Sequence, residues 1–229
     1  MLVSIIIPTF NEKDNIEEII KLVKKKVLFD KQIIVVDDKS KDGTTEILKK
    51  KLFNQVDNII YHSENLGKGA AIKSSIPFIK GDIIAIQDAD LEYDPADLNK
   101  LIKLIKENKT KIAYGSRVLG KNRYNNKSFI SNYRILGNHL LTIISNILNK
   151  QELTDAHTCY KVFRREIFIG LNLQENDFGF CPEVNTKIAK LGENILELPI
   201  NYNGRSVEDG KKIKLIDAFK ALYTIIKYK

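Results

Sequence analysis

The stretch IIAIQDADLEYDP, residues 83–95, passes from an apolar run to acidic side chains at every second position. These acids are Asp88, Asp90, Glu92 and Asp94. Carboxylates so close together repel one another and lose hydration beside a buried strand, so they need a compensating charge. Since residues two apart in an extended segment point to the same side, the first three are expected to converge on one cation. The fourth, directly before Pro95, is expected to cap a helix.

The sequence around this stretch alternates short apolar runs with segments of helical periodicity. The runs are rich in Ile and Val and span Leu2–Ile7, Ile33–Val36, Ile59–Tyr61, Ile83–Ile86 and Ile112–Tyr114. The helical patterns between them fall at Ile16–Val27, Thr44–Leu52, Gly69–Ile79 and Ala96–Glu107. This succession predicts an α/β fold with a mostly parallel sheet flanked by helices, which binds ligands beyond the carboxyl ends of its strands. Asp37 and Asp38 follow the second run, so this edge should carry a second acidic pair.

After Arg117 the pattern changes. Residues 118–131 are polar and predict a long loop, followed by an apolar helix at Tyr133–Leu148 and strands at Tyr160–Phe163 and Ile195–Ile200. The last segment, KLIDAFKALYTIIKYK, predicts a basic amphipathic helix. Its apolar stripe would be Leu215, Phe219, Leu222 and Ile226, with Asp217, Lys220, Thr224 and Lys227 on the opposite face. Because no repeat or linker interrupts the chain, we expect one domain, 1–229, made of a first portion (1–117) and a second (118–229).

The net charge of +8 comes from the second portion of the 229-residue chain. Residues 1–110 contain 18 Lys and Arg against 18 Asp and Glu, whereas residues 111–229 contain 19 against 11. No acid occurs between Glu107 and Glu152. Such a stretch can be a solvated basic face or a surface for phosphates, lipid head groups or nucleic acid. Since no motif that reads nucleic acid is present, we do not expect a nucleic-acid partner.

Several site classes are disfavoured by spacing. NLGKGAA (65–71) has His62 where a P-loop needs glycine, and the first strand runs into PTFNE without the glycines of a dinucleotide site. The three histidines and two cysteines lack zinc-ligand spacing, and no G-x-S-x-G nucleophile motif occurs. Without a disulfide framework, a signal-peptide pattern or an apolar run of about 18 residues, a cytoplasmic location is expected.

Five segments in this order carry a family resemblance: IIIPTFNE, IVVDDKSKDGT, ENLGKGAA, DADLEYDP and GSR. Together they resemble the inverting family-2 glycosyltransferases of the GT-A fold, most of all dolichol-phosphate mannose synthases and bacterial polyprenyl-phosphate glycosyltransferases. The resemblance covers roughly residues 2–205. It implies a hexosyltransferase that moves a sugar from a UDP- or GDP-linked donor, with Mg²⁺ or Mn²⁺, to a lipid phosphate. The first portion would then bind the nucleotide sugar and the second the acceptor.

The resemblance also implies roles for donor-side residues. Pro8, Phe10 and Glu12 match positions that hold the base and ribose, with Phe10 standing where the family often has Tyr. Asp38 matches a further nucleoside contact, and Lys68 lies in a segment near the nucleotide. The family's D-x-D motif, which positions the divalent cation on the diphosphate, corresponds to Asp88 and Asp90. Glu92 replaces a common Gln and is expected to be a third metal ligand.

On the acceptor side, the resemblance assigns Arg117 and Arg205 to phosphate binding and gives Asp155 a place beside the acceptor. Cys159 stands where glycine is usual. An alcohol acceptor would need a base such as Asp155, whereas an anionic phosphate acceptor would not, which leaves a catalytic or a positional role open. Transfer to a hydroxyl of a surface glycan, and a non-catalytic binding subunit, remain alternatives. The basic C-terminal helix suggests peripheral contact with the cytoplasmic face of a membrane, or with a membrane-protein partner.

Overall fold

In the computed structural model, residues 1–120, 129–177, 179–204 and 215–229 are described, without the side chains of 129–136 and 215–218. The strands are Val3–Thr9 (β1), Lys31–Asp37 (β2), Asn58–Tyr61 (β3), Ile83–Ile86 (β4), Ile112–Ser116 (β5), Lys161–Arg164 (β6) and Ile195–Pro199 (β7). The helices are Ile16–Lys26 (α1), Thr44–Ile47 (α2), Lys68–Ser74 (α3), Leu98–Lys106 (α4), Phe129–Asn149 (α5), Arg165–Gly170 (α6), Phe180–Leu191 (α7) and Leu215–Tyr228 (α8).

The seven strands form one sheet in the order β3-β2-β1-β4-β6-β5-β7. All neighbouring strands are parallel except β6, which is antiparallel to both β4 and β5. The carboxyl ends of the parallel strands therefore meet the amino end of β6 at one edge. This confirms the α/β fold with a mostly parallel sheet, and it places the residues before β6 beside those that follow β4 and β5.

The central strands are buried on both faces, which explains their continuous Ile and Val runs. In β1, Ile5 and Ile7 pack into the core on one side of the sheet and Ile6 into the core on the other. The first core includes α1 and α4 and the second includes α3 and α7. Two apolar layers thus hold the sheet rigid, and its polar edge is left for ligands.

Asp94 has the structural role that its place before Pro95 predicts. Its carboxylate accepts a hydrogen bond from Ala96 N at 3.0 Å, and Lys26 Nζ lies 2.9 Å from it. The capped 3₁₀ turn at Pro95–Asp97 leads directly into α4. Asp94 is therefore a helix cap that also ties α4 to α1.

The second portion differs from the sequence predictions in several details. Helix α5 begins at Phe129, inside the predicted loop, and α6 and α7 were not predicted. Thr224, expected on the polar face of α8, is buried. Arg205 and residues 121–128 of the predicted loop lie outside the described residues. Among those described, no helix is long and apolar enough to cross a bilayer.

Candidate active site

Asp38 follows β2 and anchors the segment that leads into α3. Its Oδ1 accepts a hydrogen bond from Leu66 N at 2.8 Å and lies 2.7 Å from His62 Nδ1, while its Oδ2 accepts from Gly67 N at 2.8 Å. Gly67 has a φ of +95°, a conformation that favours glycine. The buried Asp38 carboxylate therefore fixes the turn that presents Lys68 at the start of α3.

Lys68 and Asp88 meet at the sheet edge as an ion pair. The Lys68 ammonium also lies 3.0 Å from Cys159 Sγ. Burial alone would lower the pKa of Lys68, but Asp88 and Cys159 raise it well above its usual value, so the side chain is a cation. Burial and the neighbouring Asp88 raise the pKa of the Cys159 thiol to about 12, so it stays protonated at neutral pH. The Lys68 ammonium thus offsets part of the repulsion between the Asp88 carboxylate and the neighbouring acids.

The acidic segment after β4 bends instead of continuing as an extended strand. Leu91 has a φ of +60°, which is unfavourable for a bulky residue, and Asp90 Oδ1 accepts a hydrogen bond from Glu92 N at 3.1 Å. Glu92 is buried, and its carboxylate accepts from the Tyr202 hydroxyl at 2.8 Å. The extended geometry predicted for this segment is therefore wrong, because the backbone turns between the second and third acids.

This bend changes the expected metal site. Within the residues that the structure describes, no three His, Cys, Asp or Glu side chains gather closely enough to hold a metal ion. The predicted cluster of Asp88, Asp90 and Glu92 is therefore not present as a three-carboxylate group. Asp88 and Asp90, both half-buried at the edge, still fit Mg²⁺ or Mn²⁺, because such ions often take only one or two protein carboxylates and complete their shell with phosphate and water.

Arg117 and Asp155 form a buried bidentate pair across β5 and the segment before β6. Arg117 Nε lies 2.7 Å from Asp155 Oδ2 and Nη2 lies 2.8 Å from Oδ1, and Arg117 N donates to Oδ2 at 3.0 Å. Burial alone would lower the pKa of Arg117, but Asp155 raises it well above its usual value. Glu197 in β7 accepts from Asp155 N at 3.0 Å and from Thr154 N at 2.6 Å. The guanidinium is therefore a fixed, permanently charged group.

Three tyrosines connect the acidic segment with this arginine. The Tyr202 ring lies 5.2 Å from Arg117 Cζ, and the ring centroids of Tyr93 and Tyr202 are 5.0 Å apart. Tyr93 also stacks on Tyr160 at 4.7 Å, and the Tyr160 hydroxyl donates to Gln87 at 2.6 Å. The sequence analysis did not single out these tyrosines or Glu197. One signal was available, since Tyr93 lies within DADLEYDP, Tyr160 follows Cys159 and Tyr202 lies three residues before Arg205.

The residues after β1 complete the edge. Pro8 is buried within β1 opposite Val36, whereas the ring of Phe10 is exposed. Glu12 begins the turn into α1, where its carboxylate accepts from Asn15 Nδ2 at 2.7 Å. The predicted site residues next to the strand ends lie along one edge of the sheet in the order Asp38, Phe10, Asp88, Asp155 and Arg117, which follows the strand order β2-β1-β4-β6-β5. Arg205 lies outside the described residues.

Comparison with known proteins identifies the family. Residues 4–171 match the family described as glycosyl transferase family 2. The chain belongs to this family. Among relatives of the chain, the low-salt glycan biosynthesis hexosyltransferase Agl6 of Haloferax volcanii is 30% identical over 90% of the chain and 48% of its own length. The dolichol-phosphate mannosyltransferase of Pyrococcus furiosus is 29% identical, over 100% of the chain and 64% of its own length. The chain thus spans about half to two thirds of these two proteins.

Solved structures support the GT-A fold of the chain. Glucosyl-3-phosphoglycerate synthase from Mycobacterium tuberculosis, solved with Mn²⁺, UDP and glucosyl-3-phosphoglycerate, superposes with a TM-score of 0.72 at 16% identity, over 99% of this chain and 79% of that one. The mannosyltransferase PcManGT from Pyrobaculum calidifontis, solved with GDP-Man and Mn²⁺, gives 0.61 at 21% identity, over 86% and 54%. At these identities the likeness concerns the fold.

Proposed function

We propose that this family-2 glycosyltransferase transfers a hexosyl group, with inversion, from a nucleotide sugar to the phosphate of a polyprenyl phosphate. The observation that carries this proposal is the Arg117–Asp155 pair. Asp155 is buried and held by two guanidinium hydrogen bonds, which suits a positioning group better than a base that must take a proton. A phosphate acceptor is already anionic and needs no such base. Relatives named for dolichyl-phosphate acceptors, from Pyrococcus furiosus and Saccharomyces cerevisiae, support the same acceptor class.

On the donor side, Phe10 offers an exposed ring that can stack on a nucleobase at the end of β1. Pro8 and Glu12 would shape the backbone around the base and ribose. Asp38 would act mainly through the turn that it anchors, because its oxygens already accept from Leu66 N and Gly67 N. Its proposed effect on the nucleoside is therefore to set the position of that loop.

At the diphosphate, Asp88 and Asp90 would hold Mg²⁺ or Mn²⁺. When bound, the ion neutralises charge that grows on the departing diphosphate. Lys68 supplies a second cation at the same place, since its ammonium already contacts Asp88. Glu92 would support the site indirectly by holding the Tyr202 hydroxyl, instead of being a metal ligand as first expected.

On the acceptor side, Arg117 and Arg205 would grip the lipid phosphate. One acceptor oxygen attacks the anomeric carbon from the side opposite the leaving group, and the bond to the diphosphate breaks with its electron pair. No proton has to be removed from a phosphate dianion. The chain contributes orientation, because a guanidinium locked by Asp155 holds the nucleophile in one place. We place the enzyme at the cytoplasmic face of a membrane, where its basic second portion would meet lipid head groups.

Transfer to a hydroxyl of a glycan precursor is the second candidate. It is favoured by the Haloferax volcanii relative, which is named for glycan biosynthesis. This reaction would require Asp155 to release Arg117 and accept a proton. A non-catalytic binding subunit is disfavoured, because the charged residues Asp88, Lys68 and Arg117 are all present at the sheet edge.

The test is a transfer assay with Mn²⁺ or Mg²⁺, UDP- and GDP-linked hexoses, and either a polyprenyl phosphate or the corresponding polyprenol. Product with the phosphate alone supports the proposal, whereas product with alcohol acceptors alone contradicts it. Arg205→Ala should preserve nucleotide binding and remove transfer. If it removes nucleotide binding instead, Arg205 serves the donor and not the acceptor.

A further inference from the structure

Helix α5 turns its polar side toward the protein. Thr142 and Ser145 are buried, and Thr142 Oγ1 accepts from Ala156 N at 3.3 Å. Asn146 donates to Leu153 O at 2.8 Å and accepts from Leu153 N at 3.0 Å. Side-chain hydrogen bonds therefore hold the inner face of this helix onto the segment that carries Asp155.

The outer side of α5 is apolar. Leu140, Ile143 and Ile147 lie at helical spacing on one face and are between 54% and 72% exposed. A helix on a protein in water normally has the opposite arrangement, with its apolar side buried. In the described part of α5, Leu141, Ile144 and Leu148 are half-buried, yet the three residues named above stay exposed, and water is an unfavourable environment for them.

Helix α8 packs against α5. Its buried positions are Ala221, Thr224 and Ile225. Its exposed side carries large apolar residues, 62–67% exposed, namely Phe219, Tyr223 and Ile226. These three, with Leu140, Ile143 and Ile147 of α5, are called the apolar face below. Two adjacent helices that each expose three large apolar residues form more than the scattered exposure usual for a soluble surface.

Lysines accompany the apolar face. Lys150 follows α5, and Lys220, Lys227 and Lys229 lie on or directly after α8, all exposed. Lys220 lies 3.1 Å from Asp177, and Lys227 lies 2.8 Å from Glu175. The chain contains no acid from residue 108 to 151, the stretch that includes α5. The apolar face thus has lysines at its margin, of which Lys220 and Lys227 also pair with acids.

We propose that the apolar face docks on the interface of an anionic lipid bilayer, with the six apolar side chains in the acyl region and the lysines at the head groups. This inference rests on the proposed function and deepens it, because a polyprenyl phosphate presents its phosphate at such an interface. The inner side of α5 is bonded to the segment of Asp155, which connects the docked surface with the acceptor-binding arginine. A second copy fits this face less well, since a two-fold contact would bring the lysines of both copies together.

The test is flotation with vesicles of phosphatidylcholine alone and of phosphatidylcholine with phosphatidylglycerol. The variant Ile147→Ser/Phe219→Ser/Ile226→Ser removes apolar area and changes no charge. A matched control, Leu28→Ser/Phe53→Ser/Leu191→Ser, removes three exposed apolar side chains elsewhere. The unaltered chain and the control should bind the anionic vesicles, and the face variant should bind at least tenfold more weakly with an unchanged melting temperature. Equal binding by the face variant, or no binding by the unaltered chain, would overturn the proposal.

Two further measurements separate the alternatives. Light scattering without vesicles reports the oligomeric state, and a dimer that the face variant dissociates, without vesicle binding, would assign the face to a second copy. Transfer to a short-chain, water-soluble polyprenyl phosphate should be retained by the face variant. If the unaltered chain transfers to this acceptor but ignores vesicles, only the docking surface is wrong. If it binds vesicles but transfers to no polyprenyl phosphate, only the proposed function is wrong.

Discussion

Arg117 and Asp155, 38 residues apart in the chain, face each other through two parallel hydrogen bonds of 2.7 and 2.8 Å in a buried setting. Such a pair is costly to break, because removal of one partner leaves the other charged and buried, at about 3–5 kcal/mol. The pair therefore fixes the geometry of a cation at the sheet edge. Both oxygens of the Asp155 carboxylate, whose role as a base the sequence left open, accept hydrogen bonds from this guanidinium.

Asp155→Asn is predicted to impair acceptor positioning without changing the pH dependence of transfer. The amide keeps one oxygen for the guanidinium but loses the charge, so KM for the acceptor should rise by roughly tenfold while nucleotide affinity is retained. The measurement is the pH profile of kcat/KM for both proteins, with the exposed Asp14→Asn as control. If kcat/KM of Asp155→Asn no longer falls at low pH as that of the unaltered chain does, Asp155 is instead a general base.

Asp90→Ala should abolish the Mn²⁺-dependent part of nucleoside diphosphate binding, because one of two carboxylate ligands is lost. Glu92→Gln should retain this binding within about threefold, since the Glu92 carboxylate accepts from Tyr202 and an amide oxygen can do the same. Isothermal titration with and without Mn²⁺ measures both variants. If Glu92→Gln loses as much Mn²⁺-dependent binding as Asp90→Ala, Glu92 is a metal ligand after all.

Lys68→Met is predicted to raise the affinity for Mn²⁺ in the absence of nucleotide and to lower the affinity for the nucleotide. The ammonium contacts Asp88 and so competes with a divalent ion for this carboxylate, while the same charge helps to bind a diphosphate. Free Mn²⁺ can be followed by electron paramagnetic resonance, with the exposed Lys80→Met as control. Unchanged Mn²⁺ affinity would show that the ion does not use Asp88.

His157 is predicted to make stability fall as the solution becomes acidic. Burial, with the nearby Lys161, lowers its pKa from 6.5 to about 4, so above pH 6.5 the ring is neutral in both states. Below that value the unfolded chain takes up the proton first, which removes up to about 3 kcal/mol of stability between pH 6.5 and 4.

Urea unfolding across this pH range measures the effect. His157→Leu should flatten the pH dependence and cost little at pH 7, because the ring Nε2 is buried without a hydrogen-bond partner among the described atoms. An unchanged slope in this variant would assign the acid sensitivity to other groups.

Gly67→Ala should weaken nucleotide binding and destabilise the fold. An added Cβ would lie 2.5 Å from Asn176 O, and the φ of +95° disfavours any L side chain. The cost should be at least 1 kcal/mol, because the backbone of two segments must shift. Gly170→Ala is the control, since its Cβ would meet nothing within 4 Å. Thermal melting and nucleotide titration compare the two variants. If Gly67→Ala changes neither the melting temperature nor the nucleotide affinity, the loop adapts to the added Cβ.

The strands in the first half of the fold were predictable because a strand that is buried on both faces of its sheet has a continuous apolar sequence. Runs such as residues 33–36 and 83–86 contain only Ile, Val and Ala, and each is a strand. Helix α7 was missed because its buried positions include Glu183, Asn185 and Thr186, which are satisfied by tertiary hydrogen bonds. Helical periodicity of apolar residues does not detect a polar inner face.

For the site, strand order and residue type predicted where polar side chains would gather but not how they would pair. Asp88 and Asp90 lie at the expected edge, while the positive φ of Leu91 turns the chain before Glu92. A single residue that adopts a left-handed conformation is not encoded by residue type alone. The contact of Tyr202 with Glu92 spans 110 residues of the chain and that of Glu197 with Asp155 spans 42, so neither follows from local sequence.

Strand β6 runs against its neighbours, so the chain leaves the sheet edge at Arg117 and returns to the same edge at Asp155. The 37 residues 118–154 therefore start and end at one clamped point, closed by a single ion pair. The entropic cost of such a closure grows only slowly with length. We therefore expect that this segment can be lengthened or replaced without rebuilding the sheet, as long as the packing of α5 on α7 and α8 is kept.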